Sequence, residues 1–310
     1  MNKDIKIIYM GTPEFAVPTL KALNDNYTVQ AVVTVPDKPK GRGKQVLPSD
    51  VKIMATELGL PVLQPEKLKD EDFVRQIKEF APDIIIVVAF RILPEEVYTL
   101  SRLGTFNIHG SILPKYRGAA PINWAVINGD TETGLTSFLL KKEVDTGDIL
   151  LNIKTEISES TTFGDLYYEL KDKAPQLAID TVELLIAGNY TAQSQDESLA
   201  TKAPKIFSDD CKIEWSKDAI QVKNLINGVS PIPGAWTMWG EQRIKILRAI
   251  PSASFEPQTL GKFRITKNTF DVQCSDGAIS ILEIQMPGKK SQRIQDFING
   301  WKHETQGILK

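Results

Sequence analysis

The sequence predicts an α/β domain built on a doubly wound, mostly parallel sheet, followed by a small β-barrel domain. Three observations predict it. Strand-like and helix-like segments alternate over roughly the first 185 residues, as they do when a parallel sheet carries helices on both faces. The run Ile84-Ile85-Ile86-Val87-Val88 is wholly apolar and β-branched, which suits a strand covered on both sides. Beyond residue 207 the helical periodicity gives way to five short strand candidates separated by turn residues, the pattern of a small barrel.

The elements follow in order. Residues 5–10 read as a buried strand that ends at Gly11. Residues 13–23 read as a helix, with Thr12 at the N-cap and proline in the first turn. The connecting turn, Gly11-Thr12-Pro13-Glu14-Phe15-Ala16, lacks the G-x-G-x-x-G spacing, so a dinucleotide cofactor has weak support. Residues 29–35 form the second strand, and residues 36–48 a long loop. Ser49 caps a helix to residue 58, residues 61–63 are a short strand, and Glu71–Phe80 is a helix. After the apolar strand, residues 106–109 end the next one. Residues 119–127 read as a helix, 134–140 as a strand, 144–148 as a turn, and 162–187 as a long helix. Residues 188–207 are polar and irregular. The expected organisation is therefore a first domain over 1–188, a linker over 189–207 and a second domain over 208–310. The second domain opens with a helix near residues 218–226. Strands are expected at Ala235–Trp239, 243–249, Lys262–Ile265, 269–274 and Ala278–Gln285, with a closing helix over 291–300.

At 310 residues the chain has room for two cores. No apolar run approaches the ~18 residues that span a bilayer, and residues 1–4 lead straight into a strand-like run, so no secretory leader is expected. A soluble cytoplasmic protein is expected. Cys211 and Cys274 are too few for a disulfide framework and lack metal-ligand spacing, so no metal is expected. No apolar element demands a partner, and a monomer is expected. The net charge of −2 is unevenly spread. Residues 201–310 hold 16 Lys/Arg against 11 Asp/Glu, and residues 1–200 hold 21 against 28. A basic C-terminal part hints at a polyanion contact; two domains of slightly different charge explain it equally well.

The densest chemistry lies in Asn107-Ile108-His109-Gly110-Ser111-Ile112-Leu113-Pro114. On a strand, residues i and i+2 share a face, so Asn107 and His109 emerge side by side where the strand ends. An amide can donate to a developing oxyanion, and an imidazole can hold or move a proton near neutral pH. An Asn and a His that merely satisfy turn backbone fit the same residues. Asp145 lies in a turn after another strand, where a carboxylate also serves in Asx-turns; Asp148 reads as structural. Residues 36–48 carry Lys38, Lys40, Arg42 and Lys44 among glycines and prolines, which suits a phosphate contact or a solvated loop.

In order along the chain stand Asn107-x-His109-x-Ser111-Ile112-Leu113-Pro114, Tyr116-Arg117-Gly118-Ala119-Ala120-Pro121-Ile122 and Asp145-Thr146-Gly147-Asp148. Together they closely resemble the 10-formyltetrahydrofolate-dependent formyltransferases. Gly11-Thr12-Pro13-Glu14-Phe15-Ala16, Pro36-Asp37-x-Pro39-x-Gly41-Arg42-Gly43 and Ala235-Trp236-Thr237 extend the likeness over nearly the whole chain. The resemblance implies a Rossmann-like catalytic domain and an OB-like second domain. It implies a catalytic trio of Asn107, His109 and Asp145, and a folate site along Ser111, Ile112, Leu113 and Pro114. It implies 10-formyltetrahydrofolate as donor, without a metal, and the α-amino group of methionine on initiator tRNA as acceptor. Lys38, Lys40, Arg42 and Lys44 would then meet the acceptor end of the tRNA. Arg117 is expected to organise the site wall. Two departures stand out: Ile112 replaces a more usual Leu, and Ala89-Phe90-Arg91 stands where the family more often has Ala-Tyr-Gly. Relatives that formylate glycinamide ribonucleotide or a nucleotide-linked amino sugar share the trio, so a small amine acceptor remains an alternative. So does a nucleotide-cofactor oxidoreductase, which the missing glycine fingerprint disfavours.

Overall fold

The computed structural model describes residues 4–40, 45–256 and 259–310. The chain folds into two compact units that interleave along the sequence. Unit one comprises Met1–Gly118, Gly134–Thr155 and Tyr168–Lys202; unit two comprises Ala119–Thr133, Glu156–Tyr167 and Ala203–Lys310.

The sheet of unit one has strands β1 (Lys6–Gly11), β2 (Thr28–Val33), β3 (Val62–Leu63), β4 (Ile84–Val88), β5 (Gly104–His109), β6 (Glu132–Leu139) and β7 (Ile149–Glu156). Their order is β7-β6-β5-β4-β1-β2-β3. β1 pairs in parallel with β2 and β4, β2 with β3, and β4 with β5, whereas β6 joins β5 antiparallel. The chain thus builds outward from β1 on one side, then returns to place β4 on the other. Such a reversal opens a crevice beyond the carboxyl ends of the strands. Gly11, Val88 and His109 are the last residues of β1, β4 and β5.

Burial explains why these segments are strands. Every residue of β4 is buried. Ile85 and Val87 join Ile8, Met10, Phe73 and Ile77 in one core, and each such side chain contributes ~1.5–3 kcal/mol when removed from water. Phe73 and Ile77 lie one turn apart on the helix Glu71–Phe80, and Asp70 caps it by accepting from the amides of Asp72 and Phe73. Ala81, in the left-handed region at φ 46°, ends that helix.

Tertiary contacts moved several boundaries. The first helix does not start at Pro13 behind a Thr12 cap. A 3-10 turn, Glu14–Ala16, precedes the α-helix Val17–Asn26. The hydroxyl of buried Tyr9 donates to the Ala16 carbonyl at 2.6 Å, which holds the turn where the sequence alone suggests a regular helix start. In the loop over 36–48, Lys38–Lys40 and Gln45–Leu47 form a short antiparallel pair. Arg42 and Lys44 lie outside the described residues. Residues 189–202, expected as linker, belong to unit one: Gln193 exchanges two backbone hydrogen bonds with Ile149, at 2.8 and 2.9 Å.

Unit two centres on an antiparallel sheet with strands β8 (Ala235–Trp239), β9 (Gln242–Ser252), β10 (Lys262–Ile265), β11 (Phe270–Gln273), β12 (Ala278–Gln285) and β13 (Gln306–Ile308). The order is β8-β9-β12-β11-β10-β13. Met238 and Lys310 exchange backbone hydrogen bonds at 2.7 and 2.9 Å, so the two ends of that order are joined and the sheet curls into a barrel. β13 carries no strand signal in the sequence; pairing with β10 makes it a strand. Helix α1 of this unit (Pro121–Ile127) packs on α2 (Ala219–Gly228), and Asn123 donates to the Gly228 carbonyl at 2.8 Å. A Cβ on Gly228 would sit 2.4 Å from Ile127, so only glycine permits this approach.

Phe270 is fully buried, with the rings of Trp239 and Phe263 both 5.4 Å from its own and Phe297 at 6.3 Å. Phe270→Ala is expected to lower stability by ~3–5 kcal/mol, the usual cost of emptying an aromatic core site. Denaturant unfolding reads this as a lower midpoint at unchanged slope.

Candidate active site

β5 presents Asn107 and His109 on one face. Its register is fixed on both sides: Asn107 lies opposite Val87 of β4 and Phe138 of β6, and His109 opposite Thr136. Asn107 is half-buried, and among the described residues its side-chain amide has no hydrogen-bond partner. A half-buried amide left unused by the fold is a donor available to a ligand.

His109 is buried. Its ring stands edge-on to Phe138, with centroids 6.5 Å apart. Nε2–H donates to the Tyr116 carbonyl at 2.8 Å. Tyr116 has φ 62°, a conformation costly for a bulky residue and held here by its surroundings. With Nε2 so occupied, Nδ1 is the nitrogen that faces Asp145, 3.8 Å from Oδ2. A proton at Nδ1 gives the ring a second N–H, directed at that carboxylate.

Asp145 sits in the turn after β6, also in the left-handed region, at φ 57°. Its Oδ2 accepts from the Gly118 amide at 2.9 Å. The turn is pressed on β6 so closely that a Cβ on Gly147 would lie 1.5 Å from the Leu139 carbonyl oxygen. The structure thus brings His109 and Asp145 together, with Asn107 two residues before His109 on the same strand. Asp148, read as structural, pairs with Lys141 at 2.8 Å.

The segment after His109 is held from within. Ser111 is fully buried and its hydroxyl donates to the Lys115 carbonyl at 2.6 Å. The Thr136 hydroxyl bonds the Ser111 carbonyl at 2.7 Å and the Leu113 amide at 3.1 Å. Leu113 packs with Phe138 and Ile149. Ser111 and Leu113 therefore shape the segment, while Ile112 and Pro114 are half-buried and leave an apolar edge for a ligand. Arg91 follows Ala89, whose φ is 48°, and donates to the carbonyls of Pro65 and Glu66 at 2.8 and 3.0 Å; its Nε is buried without a partner.

Of the four basic residues at 38–44, Lys38 is exposed at the start of the short strand pair; the Lys40 side chain, Arg42 and Lys44 are outside the described part. Unit two has its own cationic, aromatic patch. The Arg243 guanidinium lies 3.8 Å from the Trp236 ring centre and Lys212 lies 5.8 Å from it. Lys205 lies 5.4 Å from the ring of exposed Phe207. Among the described residues no cluster of three or more His, Cys, Asp or Glu side chains could hold a metal.

Sequence reasoning missed the carbonyl of Tyr116, the amide of Gly118, the hydroxyl of Thr136 and the side chain of Gln195. Gln195 donates from Nε2 to the carbonyls of Asp145 and Gly147 at 2.9 and 2.7 Å. Backbone groups carry no residue-type signature, and Gln195 stands in a polar stretch with no local pattern to mark it.

Residues 3–182 match the formyl transferase family model, and residues 205–302 match the formyl transferase C-terminal domain. The chain is 46% identical to a methionyl-tRNA formyltransferase of Porphyromonas gingivalis, over 97% of both chains. Among solved structures it resembles WlaRD, a sugar 3N-formyl transferase crystallised in the presence of dTDP and 5-N-formyl-THF. The TM-score is 0.67 at 20% identity, covering 92% of this chain and 99% of that one. It also resembles HypX from Aquifex aeolicus in complex with tetrahydrofolic acid, with TM-score 0.61 at 17% identity, over 95% of this chain and 46% of that one. At these identities the structural likeness speaks to the fold. No helix among the described residues is long and apolar enough to cross a membrane.

Proposed function

The chain belongs to the formyl transferase family, and on that premise we propose that it transfers a formyl group from 10-formyltetrahydrofolate to the α-amino group of methionine on initiator tRNA, for translation initiation. One observation carries the reading: at the end of β5 the free amide of Asn107 stands beside His109, whose Nδ1 faces the Asp145 carboxylate at 3.8 Å.

The chemistry needs this set. As the amine nitrogen attacks the formyl carbon, a new C–N bond forms and the formyl oxygen gains negative charge. Asn107 donates to that oxygen, and His109 protonated at Nδ1 stabilises the charge. Asp145 keeps His109 charged and accepts the proton that the attacking nitrogen loses, directly or through water. The bond from the formyl carbon to N10 then breaks, and N10 takes the proton that Asp145 accepted. The apolar edge of Ile112 and Pro114, backed by Ser111 and Leu113, suits the flat pterin of the donor.

Unit one is the catalytic part, and we assign the tRNA to Lys38, Lys40, Arg42 and Lys44 together with unit two. The exposure of Lys38 and the Arg243–Trp236 and Lys205–Phe207 pairs support this. The trio comes from one chain, so a monomer suffices, and the substrate places the reaction in the cytoplasm. The test compares formyl transfer to methionyl initiator tRNA with transfer to free methionine, glycinamide ribonucleotide and a nucleotide-linked amino sugar. A preference for any of the small amines would overturn the acceptor assignment.

A second expected result separates the tRNA contacts from the chemistry. Changing Lys38, Lys40 and Lys44 together to Ala removes three cations from the phosphates they would neutralise. Each lost contact flattens the dependence of log K on log salt by ~0.7–0.9, so the slope should fall by ~2 while folate affinity holds. Arg42→Ala should weaken tRNA use, and Arg42→Lys should restore only part of it, because Lys cannot make the two-pronged phosphate contact.

A further inference from the structure

We infer that Gln195 is a positioning residue for the transfer: it clamps the Asp145 turn so that the carboxylate stays directed at His109, and Arg117 and Glu197 hold the clamp. The inference rests on the proposed role of Asp145.

The hydrogen bonds form one connected path. The two N–H groups of the Gln195 amide go to the carbonyls of Asp145 and Gly147, at 2.9 and 2.7 Å. Its Oε1 accepts from Arg117 Nε and Nη2, at 3.1 and 2.7 Å. All four positions of the amide are therefore filled. Only one orientation fits, since a flipped amide would point N–H groups at a guanidinium and its oxygen at two carbonyls. Glu197 closes the far side with paired bonds of 2.8 and 2.7 Å to Arg117. The Arg117 side chain is 13% exposed. The Arg117 guanidinium is held above its usual range by the hydrogen bonds it donates to Glu197, and the Glu197 carboxyl is held below its usual range by the same bonds, so both stay charged.

The far end of this path reaches Asp145 twice. Gln195 grips the turn by its backbone, and Gly118, the neighbour of Arg117, donates its amide to Asp145 Oδ2 at 2.9 Å. Asp145 sits at φ 57°, a left-handed state that Asp tolerates better than most residues, and the two bonds from Gln195 hold the turn there. At 3.8 Å the contact with His109 does not by itself fix the direction of the Asp145 side chain. The direction is set by the Gly118 amide and by the turn, and Gln195 holds the turn. A displacement of about 1 Å at such a group can cost ~100-fold in rate.

The experiment uses the full chain and single-turnover formylation of methionyl initiator tRNA. Gln195→Ala is expected to lower the rate constant at saturation by ~10–100-fold, with KM for both substrates changed by less than about twofold. Gln195→Glu keeps an acceptor for Arg117 but loses both donors to the turn, and is expected to fall as far. In an Asp145→Asn background either change is expected to cost less than about threefold more, because the group it positions is already disabled. Thermal unfolding runs in parallel. Three results would overturn the inference: wild-type rates in both single variants, the same fold-loss in both backgrounds, or loss of the fold in both Gln195→Ala and Gln195→Glu. If Asp145→Asn alone keeps the wild-type rate, the proposed role of Asp145 fails, and the inference fails with it.

Discussion

Asp145→Asn is expected to slow the transfer step by ~100–10,000-fold, the span typical for removing a proton-transfer group, while the protein stays folded. Asparagine suits the test for a structural reason. The residue sits at φ 57°, where Asn and Asp are tolerated and most side chains are strained. The amide oxygen of Asn can still accept from Gly118, which now bonds Oδ2 at 2.9 Å. The turn therefore survives, and what disappears is the negative charge 3.8 Å from His109 Nδ1. His109 then loses the group that balances its protonated form, and the attacking amine loses its proton acceptor. Single-turnover kinetics with saturating folate and tRNA isolate the step. A rate within about threefold of wild type would remove Asp145 from the chemistry.

Asn107→Ala is expected to cost ~100–1,000-fold in the same assay, the usual loss for one oxyanion donor. Unlike most buried-amide deletions it should barely touch stability, because the amide has no partner within the described structure and none is left unsatisfied when it goes. Binding of the donor folate should also change little, since a ground-state carbonyl gains far less from the amide than the charged oxygen does. A variant that loses folate affinity and keeps its maximal rate would show that Asn107 binds rather than catalyses. The double variant with His109→Ala should fall short of the product of the two single losses, because both groups act on one oxygen.

The elements whose causes are local were legible in the chain. Glu71–Phe80, Ile84–Val88, Ala235–Trp239 and Ala278–Gln285 stand where apolar period and turn residues place them. The side-by-side placement of Asn107 and His109 was legible too, because a strand has period two. The family motifs marked Asp145 as their partner, but no local pattern could. Tertiary structure alone decided how these residues work. Which nitrogen of His109 faces Asp145 depends on the Tyr116 carbonyl. Where the Asp145 carboxylate points depends on Gly118 and Gln195. The interleaving of the two units and the joining of β8 to the chain end through Met238 and Lys310 were likewise invisible. The physical reason is common to all of these. Periodicity and capping act over a few neighbouring residues, whereas these contacts join distant segments through main-chain amides and carbonyls, which every residue but proline carries alike.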